Sequence, residues 1–328
     1  GFLRPANQEK PYVLPRGRNQ KMSVLNANRQ YVVYVSYHYL SITEDKNNII
    51  AKIMLYPTAF FTNNHVSLHI YKNKFPMKIL YYIYQICIAL PILLVLTILT
   101  AIVTIVGSLL GGAHFWGYYP GKIWSQLICL FLLIPVKIHG REKLHGKTSY
   151  IFVPNHQGSF DIFLIYGFIG RNFKWMMKKS LRKIPFVGKA CESAGHIFVD
   201  RSGPKKVLET IRQAKDSLKD GVSLVVFPEG ARTFTGHMGY FKKGAFQLAD
   251  DLQLAVVPVT IDGSFEILPR TGKWIHRHRM ILTIHDPIPP KGKGMENIKA
   301  TMAEAYAAVE SALPEKHKGM ITNEDQDR

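Results

Sequence analysis

Hydrophobic positions divide this chain into one long uncharged run, one shorter apolar stretch and a region of short alternating elements. The uncharged run extends from Ile79 to Leu110. About 20 apolar residues suffice for a helix that crosses a bilayer, so the run predicts a membrane helix with some tilt, and it is too long for a signal peptide. Pro91 predicts a kink inside it. Aromatic residues bracket the run as at membrane interfaces, namely Tyr81, Tyr82, Tyr84, Phe115, Trp116, Tyr118 and Tyr119.

The shorter apolar stretch, from Ile123 to Ile138, is interrupted by Ser125, Gln126 and Pro135. It is too short for an independent span and predicts a returning half-helix or an interfacial helix. We therefore expect a membrane-embedded helical segment over residues 76–140. Cations at its end place that end on the cytoplasmic side by the positive-inside rule, and these cations are Lys137, Arg141, Lys143 and Lys147.

Short β-branched runs alternate with helical stretches from Lys147 onward, which is typical of an α/β fold with helices on both faces of a sheet. Helices are predicted from Pro204 to Lys219 and from about Glu296 to Leu313. The domain is expected over residues 141–313, with a polar tail over 314–328. The predicted strands are Ser149–Val153, His196–Asp200, Val222–Phe227, Ala255–Ile261 and Met280–Ile284.

The segment Asn172–Lys189 interleaves cations with aromatic and long aliphatic residues. On a helix this mixture is typical of binding at a membrane interface, and an ordinary solvated basic helix is the alternative. The membrane helix upstream favours docking on a membrane surface.

Residues 1–75 have no sustained helical or strand period. Two apolar pieces, Tyr31–Leu40 and Ile49–Phe61, have the length of strands. We expect a poorly ordered extension or an overrun of the reading frame with a natural start at Met77. A small accessory domain is the alternative.

Composition narrows the class of protein. The formal net charge is +19, yet 47% of the residues are hydrophobic. A soluble nucleic-acid-binding protein rarely combines the two, whereas a basic protein on an anionic membrane does. Three scattered cysteines predict no disulfide framework and a reducing compartment. The histidines outside the candidate motifs lack partners at ligand spacing, so no metal site is expected.

A strand–turn–helix junction carries the candidate chemistry. The apolar run Tyr150–Val153 ends at a proline, a turn follows, and a second apolar run begins at Asp161. His156 and Asp161 meet only if His156 lies in the turn before the helix. A carboxylate bonded to one ring nitrogen raises the basicity of the other, which gives a general base near neutral pH. The alternative is a helix N-terminus that Asn155 or Ser159 caps, with Asp161 complementing the dipole.

Three later blocks accompany this junction in order, namely Gly195–Arg201, Phe227–Thr233 and Val257–Val259. Together with Asn155-His156-x4-Asp161, they resemble the four motif blocks of the glycerolipid acyltransferases and are most similar to those of the 1-acyl-sn-glycerol-3-phosphate acyltransferases. The resemblance covers residues 75–313. It implies a glycerolipid-acyltransferase-like sheet flanked by helices, with residues 141–313 as the catalytic domain on the cytoplasmic face of a membrane.

The resemblance implies transfer of a fatty acyl group from an acyl thioester to the free hydroxyl of 1-acyl-sn-glycerol 3-phosphate, which gives phosphatidic acid. The donor is acyl-coenzyme A or acyl carrier protein, and no cofactor is implied. The expected partners are the phospholipid membrane, lysophosphatidic acid and the donor, and not nucleic acid. His156 is then the base that takes the hydroxyl proton, and Asp161 orients its ring.

The resemblance assigns the phosphate of the acceptor to Glu229, Gly230 and Arg232. Gly230 lets the backbone approach an anion, and Arg232 offers a fork of donors. The structural alternative is a turn in which Glu229 merely pairs with Arg232. Arg201 and Lys178 are further phosphate candidates, with Lys179 as the fallback for Lys178. The secondary candidates are Asn155, Thr233 and Lys242.

Three other functions stay open at this point. The same chemistry with another acceptor, such as a different lysophospholipid, a lyso-aminolipid or glycerol phosphate, is the first, although several cations favour a phosphate monoester dianion. A basic membrane-anchored scaffold is the second, and it gives His156 and Asp161 no purpose. A hydrolase with Ser159 as nucleophile is the third, and it predicts thioester cleavage without an acceptor.

Overall fold

The computed structural model of the protein describes six strands between residues 20 and 69, and then residues 74–199, 203–218 and 221–319. The chain divides into two compact units, Gly1–Tyr82 and Ile83–Arg328. In the first unit the described strands form three antiparallel pairs, β1 with β2, β3 with β4 and β5 with β6. The six strands are β1 Gln20–Asn26, β2 Arg29–Val35, β3 Leu40–Asp45, β4 Asn48–Ile53, β5 Thr58–Thr62 and β6 His65–His69.

The uncharged run forms helices joined by two π-turns, Gln85–Ala89 and Ser108–Gly112. Met77–Trp116 is long and apolar enough to cross a membrane by length and composition. Pro91 lies in the first turn of α2, directly after the first π-turn, and the helix breaks at Gly111, where φ is 100°. The helices are α1 Lys74–Tyr84, α2 Leu90–Gly107, α3 Ala113–Trp116 and α4 Tyr119–Phe131.

Helix α4 returns antiparallel along α2, as the shorter apolar stretch predicts for a returning half-helix. The Trp124 indole donates to the Thr97 hydroxyl at 2.9 Å, and the Tyr84 hydroxyl donates to the Phe131 carbonyl at 2.7 Å. We call α2 and α4 the apolar hairpin. One face of α2 is buried, and Leu93 belongs to the same hydrophobic cluster as residues of the α/β domain. The opposite face of α2 exposes Leu94, Val95, Leu99, Ile102, Val103 and Val106.

A seven-stranded sheet with the order β10-β9-β11-β8-β12-β13-β7 forms the centre of the second unit. All neighbouring strands are parallel except β12 and β13. The strands are β7 Val136–His139, β8 Ile151–Pro154, β9 Phe173–Lys178, β10 Ile197–Val199, β11 Ser223–Val225, β12 Val256–Asp262 and β13 Met280–Ile284. The helices are α5 Asp161–Phe168, α6 Val187–Ser193, α7 Pro204–Ser217, α8 Gly244–Leu252, α9 Ser264–Ile267 and α10 Met295–Ser311.

Both faces of the sheet are covered, as expected for this fold class. Phe152 and Val257 pack into a cluster with α4 and α5, whereas Ile151 and Val153 pack into a second cluster with α8 and α10. Neighbouring residues of a strand point to opposite faces, so a strand with two buried faces is apolar throughout. This explains why the run Ile151–Val153 is continuously apolar.

The carboxyl ends of the parallel strands meet at one edge of the sheet. Val225 pairs with Phe152 on one side and with Trp175 on the other, and Val257 also pairs with Phe152. The segments that follow these strands therefore emerge side by side, and open sheets of this type bind ligands at that edge. We call it the carboxyl edge.

The predicted basic helix over Asn172–Lys189 is wrong. Its first part is strand β9, where Phe173 and Trp175 are buried between two neighbouring strands. A 3-10 turn at Lys179–Lys183 and the short helix α6 follow. Charge and aromatic content do not separate a buried parallel strand from an amphipathic helix over so few residues. The strands β7 and β9 also have no counterpart among the predicted strands.

Candidate active site

The junction after β8 brings the predicted pair together. Strand β8 ends at Pro154, α5 begins at Asp161, and His156 lies in the turn between them. The Nδ1 atom of His156 is 2.6 Å from the Oδ2 atom of Asp161. The same carboxylate oxygen accepts the Gly158 N–H at 3.0 Å. The predicted contact between histidine and carboxylate is present.

The His156 ring is held between this carboxylate and an aromatic stack. It lies on the Phe227 ring at a centroid distance of 3.8 Å, and Phe227 stacks on Trp175 at 5.6 Å. The side chain of Asp161 is fully buried, whereas that of His156 is 15% exposed. A ring that donates from Nδ1 to a carboxylate keeps Nε2 as an acceptor. The arrangement therefore leaves one basic nitrogen for a ligand.

The Glu229 side chain contacts the backbone of His156. Its carboxyl accepts the His156 N–H at 2.6 Å and the Gly239 N–H at 2.8 Å. Burial raises the pKa of Glu229 to about 8, against the lowering effect of these two N–H groups. The side chain is buried, and both of its carboxyl oxygens accept backbone N–H groups. Its geometry is that of a residue that positions the histidine.

Asn155 and Gly158 hold the turn of His156 close to β12 and α9. The buried Asn155 amide donates to the Ile261 carbonyl at 3.0 Å and accepts the Ile261 N–H at 2.7 Å, so the Asn155 side chain joins the end of β8 to β12. A side chain at Gly158 would lie 2.7 Å from the Ser264 carbonyl, which explains the glycine there. Asn155, a secondary ligand candidate, is thus used within the fold.

Arg232 reaches the turn from the neighbouring block. Its guanidinium donates to the Ser159 hydroxyl, and its carbonyl accepts a hydrogen bond from Arg270 at 3.1 Å. The Arg270 guanidinium lies 4.0 Å from the centre of the Phe234 ring. Two guanidinium groups therefore lie on the same side of the junction. Arg270 was not among the predicted residues, because it belongs to none of the four blocks.

Gly230 forms an open position beside Lys242. The residue is exposed and has φ of 80°, and a Cβ atom there would lie 3.2 Å from the Lys242 ammonium nitrogen. Thr233 donates its N–H to the His156 carbonyl at 3.0 Å, and its hydroxyl accepts the N–H groups of Thr235 and Gly236. Gly230 and Lys242 thus border the site, while Thr233 shapes the loop.

The other candidates differ in position. Lys178 is exposed at the end of β9, on the carboxyl edge that also carries the turn of His156. Arg201 lies outside the residues that the structure describes. In the same block His196 is buried, and burial together with the nearby Lys174 ammonium lowers its pKa to about 3. Its neutral ring accepts the Trp175 N–H at 3.2 Å, which anchors the aromatic stack.

One group of side chains has metal-ligand character. Asp262, Glu266 and His317 offer ligand atoms within 4.8 Å of one another. Lys316 donates to the Glu266 carboxylate, and His317 contacts the same oxygen at 2.9 Å. This lysine already supplies a positive charge to the group. These contacts are those of a local ion pair.

The chain is similar to known acyltransferases. The Acyltransferase family model matches residues 135–262, which extend from the start of β7 to the end of β12. The chain is 30% identical over 217 residues to an uncharacterized acyltransferase of Schizosaccharomyces pombe and covers 78% of that protein.

Two relatives have a more specific name. The chain is 33% identical over 173 residues to a chloroplastic 1-acyl-sn-glycerol-3-phosphate acyltransferase of Arabidopsis thaliana and covers 48% of it. It is 32% identical over 191 residues to the 1-acyl-sn-glycerol-3-phosphate acyltransferase of Saccharomyces cerevisiae and covers 62% of it. The match thus spans about half of the first relative and less than two thirds of the second.

A solved structure shares the fold. The crystal structure of the 1-acyl-sn-glycerophosphate acyltransferase PlsC from Thermotoga maritima matches with a TM-score of 0.59 and 28% sequence identity. The match covers 73% of this chain and 97% of that one. The chain belongs to the acyltransferase family that contains the 1-acyl-sn-glycerol-3-phosphate acyltransferases.

Proposed function

We propose that this protein transfers a fatty acyl group from an acyl thioester to the free hydroxyl of 1-acyl-sn-glycerol 3-phosphate and so makes phosphatidic acid. The observation that carries the proposal is the 2.6 Å contact between His156 Nδ1 and the buried Asp161 carboxylate, beside the turn that bears Arg232. The names of the relatives support the acceptor. The donor is acyl-coenzyme A or acyl carrier protein.

In the proposed reaction His156 is the general base. Its Nε2 takes the proton of the acceptor hydroxyl as the hydroxyl oxygen attacks the thioester carbonyl carbon. Asp161 stabilises the imidazolium that forms. The tetrahedral intermediate then expels the thiolate, which takes the proton back from Nε2, so an ester and a free thiol are the products. A general base of this kind contributes about 10²–10⁴ in rate.

The cations around the junction support an acceptor that carries a phosphate. A phosphate monoester is a dianion, and charge-assisted hydrogen bonds from more than one cation suit it. Lys242 borders the exposed Gly230, Arg232 donates to Ser159 in the turn of His156, and Lys178 lies on the same edge of the sheet. We assign the phosphate to Arg232 and Lys242, with Lys178 and Arg201 as further candidates. Glu229 holds the base instead.

The apolar hairpin supports action at a membrane. The exposed face of α2 is a continuous apolar surface, which favours insertion among lipid chains. Its other face packs on α6, which carries Lys189 and Glu192, so insertion through the exposed face keeps these charged groups out of the hydrocarbon. The turn after β9 adds exposed Leu181, Ile184 and Phe186 beside its lysines. By the positive-inside rule, we assign the catalytic domain to the cytoplasmic face.

Acyl transfer in reconstituted vesicles tests the proposal. Wild type, His156→Ala and the control His145→Ala, which changes an exposed histidine, would be given an acyl thioester and lysophosphatidic acid. We expect activity in the wild type and the control, and a loss of about 10²–10⁴ in His156→Ala with membrane binding intact. Full activity in His156→Ala would disprove the mechanism.

A panel of acceptors and a reaction without acceptor separate the remaining functions. Activity only on another lysophospholipid would change the acceptor and keep the base. Cleavage of the thioester without any acceptor, lost in Ser159→Ala, would indicate a hydrolase. Membrane binding without either reaction would indicate a scaffold.

A further inference from the structure

The segment between α9 and β13 is a second cationic surface on the carboxyl edge. Residues 268–279, here called the basic loop, contain no acidic residue. Trp274 in the middle of the loop is 52% exposed, although tryptophan is a large apolar side chain. An exposed tryptophan among cations is the composition of a membrane interface. The cations are Arg270, Lys273, Arg277 and Arg279.

The basic loop is fastened to the base of the apolar hairpin. The buried Gln85 amide donates to the Ile275 carbonyl at 2.9 Å, and the Arg277 guanidinium donates to the Leu133 carbonyl at 3.1 Å. Gln85 precedes α2 and Leu133 follows α4, and the two ends meet through the bond from Tyr84 to Phe131. The loop therefore lies at the end of the hairpin where α2 begins and α4 ends.

The other end of the loop reaches the candidate acceptor site. Arg270 donates to the Arg232 carbonyl at 3.1 Å and lies over Phe234. The loop thus connects the residue assigned to the acceptor phosphate with the base of the hairpin. Lys273 and Trp274 lie in the chain between these two attachments, at Arg270 and Ile275.

We propose that the basic loop docks on the anionic surface of the bilayer, with Trp274 among the lipid headgroups and Lys273 and Arg277 against their phosphates. The positive charge of the loop complements an anionic leaflet, and its attachment to Gln85 and Leu133 makes it continuous with the apolar hairpin. The proposal rests on the membrane location given under the proposed function and adds the surface that contacts the headgroups. It holds whichever lipid is the acceptor.

Quenching by brominated lipid tests the docking without an enzymatic readout. Full-length wild type and Trp274→Phe would be reconstituted in phosphatidylcholine vesicles, with and without phosphatidylglycerol and with bromine near the headgroup end of the acyl chains. The difference between the two proteins isolates Trp274 from the other three tryptophans. We expect this difference signal to be quenched by brominated lipid and protected from iodide. A Trp274 signal that iodide quenches and brominated lipid does not would overturn the proposal.

A charge reversal with a matched control tests the headgroup contact. Lys273→Glu is compared with Lys299→Glu, which makes the same change on an exposed residue of α10. Each cation near an anionic surface changes partitioning by about fivefold. We expect phosphatidylglycerol to strengthen the quenching of Trp274 equally in the wild type and in Lys299→Glu, and several-fold less in Lys273→Glu; equal strengthening in all three would contradict the headgroup contact of Lys273.

A donor site is the competing explanation for the cations. If Lys273→Glu keeps the lipid quenching but raises the KM for the acyl thioester in detergent, the loop binds the donor and the docking proposal is wrong. If the wild type is inactive on every acceptor but shows the expected quenching by brominated lipid, the proposed reaction is wrong and the docking proposal is supported.

Discussion

The carboxyl of Glu229 accepts the backbone N–H of His156 at 2.6 Å, and this bond joins two sequence blocks that lie 73 residues apart. Thr233, four residues after Glu229, donates its own N–H to the His156 carbonyl at 3.0 Å. Both backbone groups of the candidate base are therefore held by the turn from Phe227 to Thr233. That turn also supplies Phe227, on which the His156 ring stacks. The base is positioned by the neighbouring block as well as by Asp161.

Glu229→Gln is expected to weaken catalysis more than acceptor binding. Glutamine has the same shape but only one acceptor oxygen, so either the His156 or the Gly239 N–H loses its partner. An unpaired buried N–H costs about 1–3 kcal/mol. We expect kcat to fall by about tenfold with an unchanged KM for the acceptor, because the side chain holds the base and does not touch the substrate.

The matched control for this change is Glu142→Gln, which alters an exposed glutamate in the turn after β7. Its steady-state kinetics should equal those of the wild type. A rise in acceptor KM in Glu229→Gln at constant kcat would show that Glu229 contacts the substrate, as the family resemblance implies.

The stability of the second unit should fall as the pH rises through the window set by Glu229. Its pKa is raised from the ordinary value of 4.5 to about 8 in the folded protein. Between these pH values the Glu229 carboxyl is deprotonated in the unfolded chain and protonated in the folded chain. The free energy of unfolding therefore falls as the pH rises. We expect the thermal midpoint of the wild type to drop from pH 5 to pH 8 by more than that of Glu229→Gln. Equal drops in both proteins would contradict the raised pKa.

The sequence predicts contacts between residues that are close together in the chain. It does not predict contacts that depend on which strands are neighbours in the sheet. The contact between His156 and Asp161 was predictable because five residues and a turn define it. The bonds from Glu229 to His156 and from Asn155 to Ile261 were not, because only the pairing of β8 with β11 and β12 brings these residues together. The sequence therefore pointed to Glu229 and Asn155 but not to the hydrogen bonds that they make.

Strand β9, in the basic segment Asn172–Lys189, could not be predicted from local spacing for the same reason. Alternation of strands and helices predicted a covered sheet, but β9 was hidden in a segment that also fits an amphipathic helix. The burial of β9 between β10 and β11 depends on tertiary packing, and the spacing of hydrophobic residues within one segment does not predict it.

Ser159→Ala is expected to raise the acceptor KM several-fold and to leave most of kcat. The Ser159 hydroxyl accepts a hydrogen bond from the Arg232 guanidinium, so its loss frees that side chain to move. Steady-state kinetics with varied lysophosphatidic acid would measure the effect. Ser217→Ala, which removes an exposed hydroxyl on α7, is the control and should change neither constant. Abolished activity in Ser159→Ala, with the fold intact, would instead identify a nucleophile.

Asn155→Ala should cost stability through both backbone groups of Ile261. The buried amide is the hydrogen-bond partner of the Ile261 N–H and of its carbonyl, and alanine leaves both without that partner. Each unsatisfied buried group costs about 1–3 kcal/mol. Urea unfolding in detergent would report the loss. Asn172→Ala removes a more exposed bond to the His114 carbonyl and should cost less. Equal losses in the two variants would show that the joint between β8 and β12 does not depend on Asn155.

Asp161→Asn is the sharpest test of how the base is oriented. Asparagine fits the same volume and still offers an oxygen to the Gly158 N–H, but it removes the negative charge that stabilises a protonated His156 ring. We expect kcat to fall by about 10²–10⁴ while the KM for the acceptor changes little. Asp251→Asn, an exposed carboxylate on α8, should have no effect. If Asp161→Asn lowers the thermal midpoint but keeps full kcat, the carboxylate serves only as the first residue of α5. His156 would then act without it.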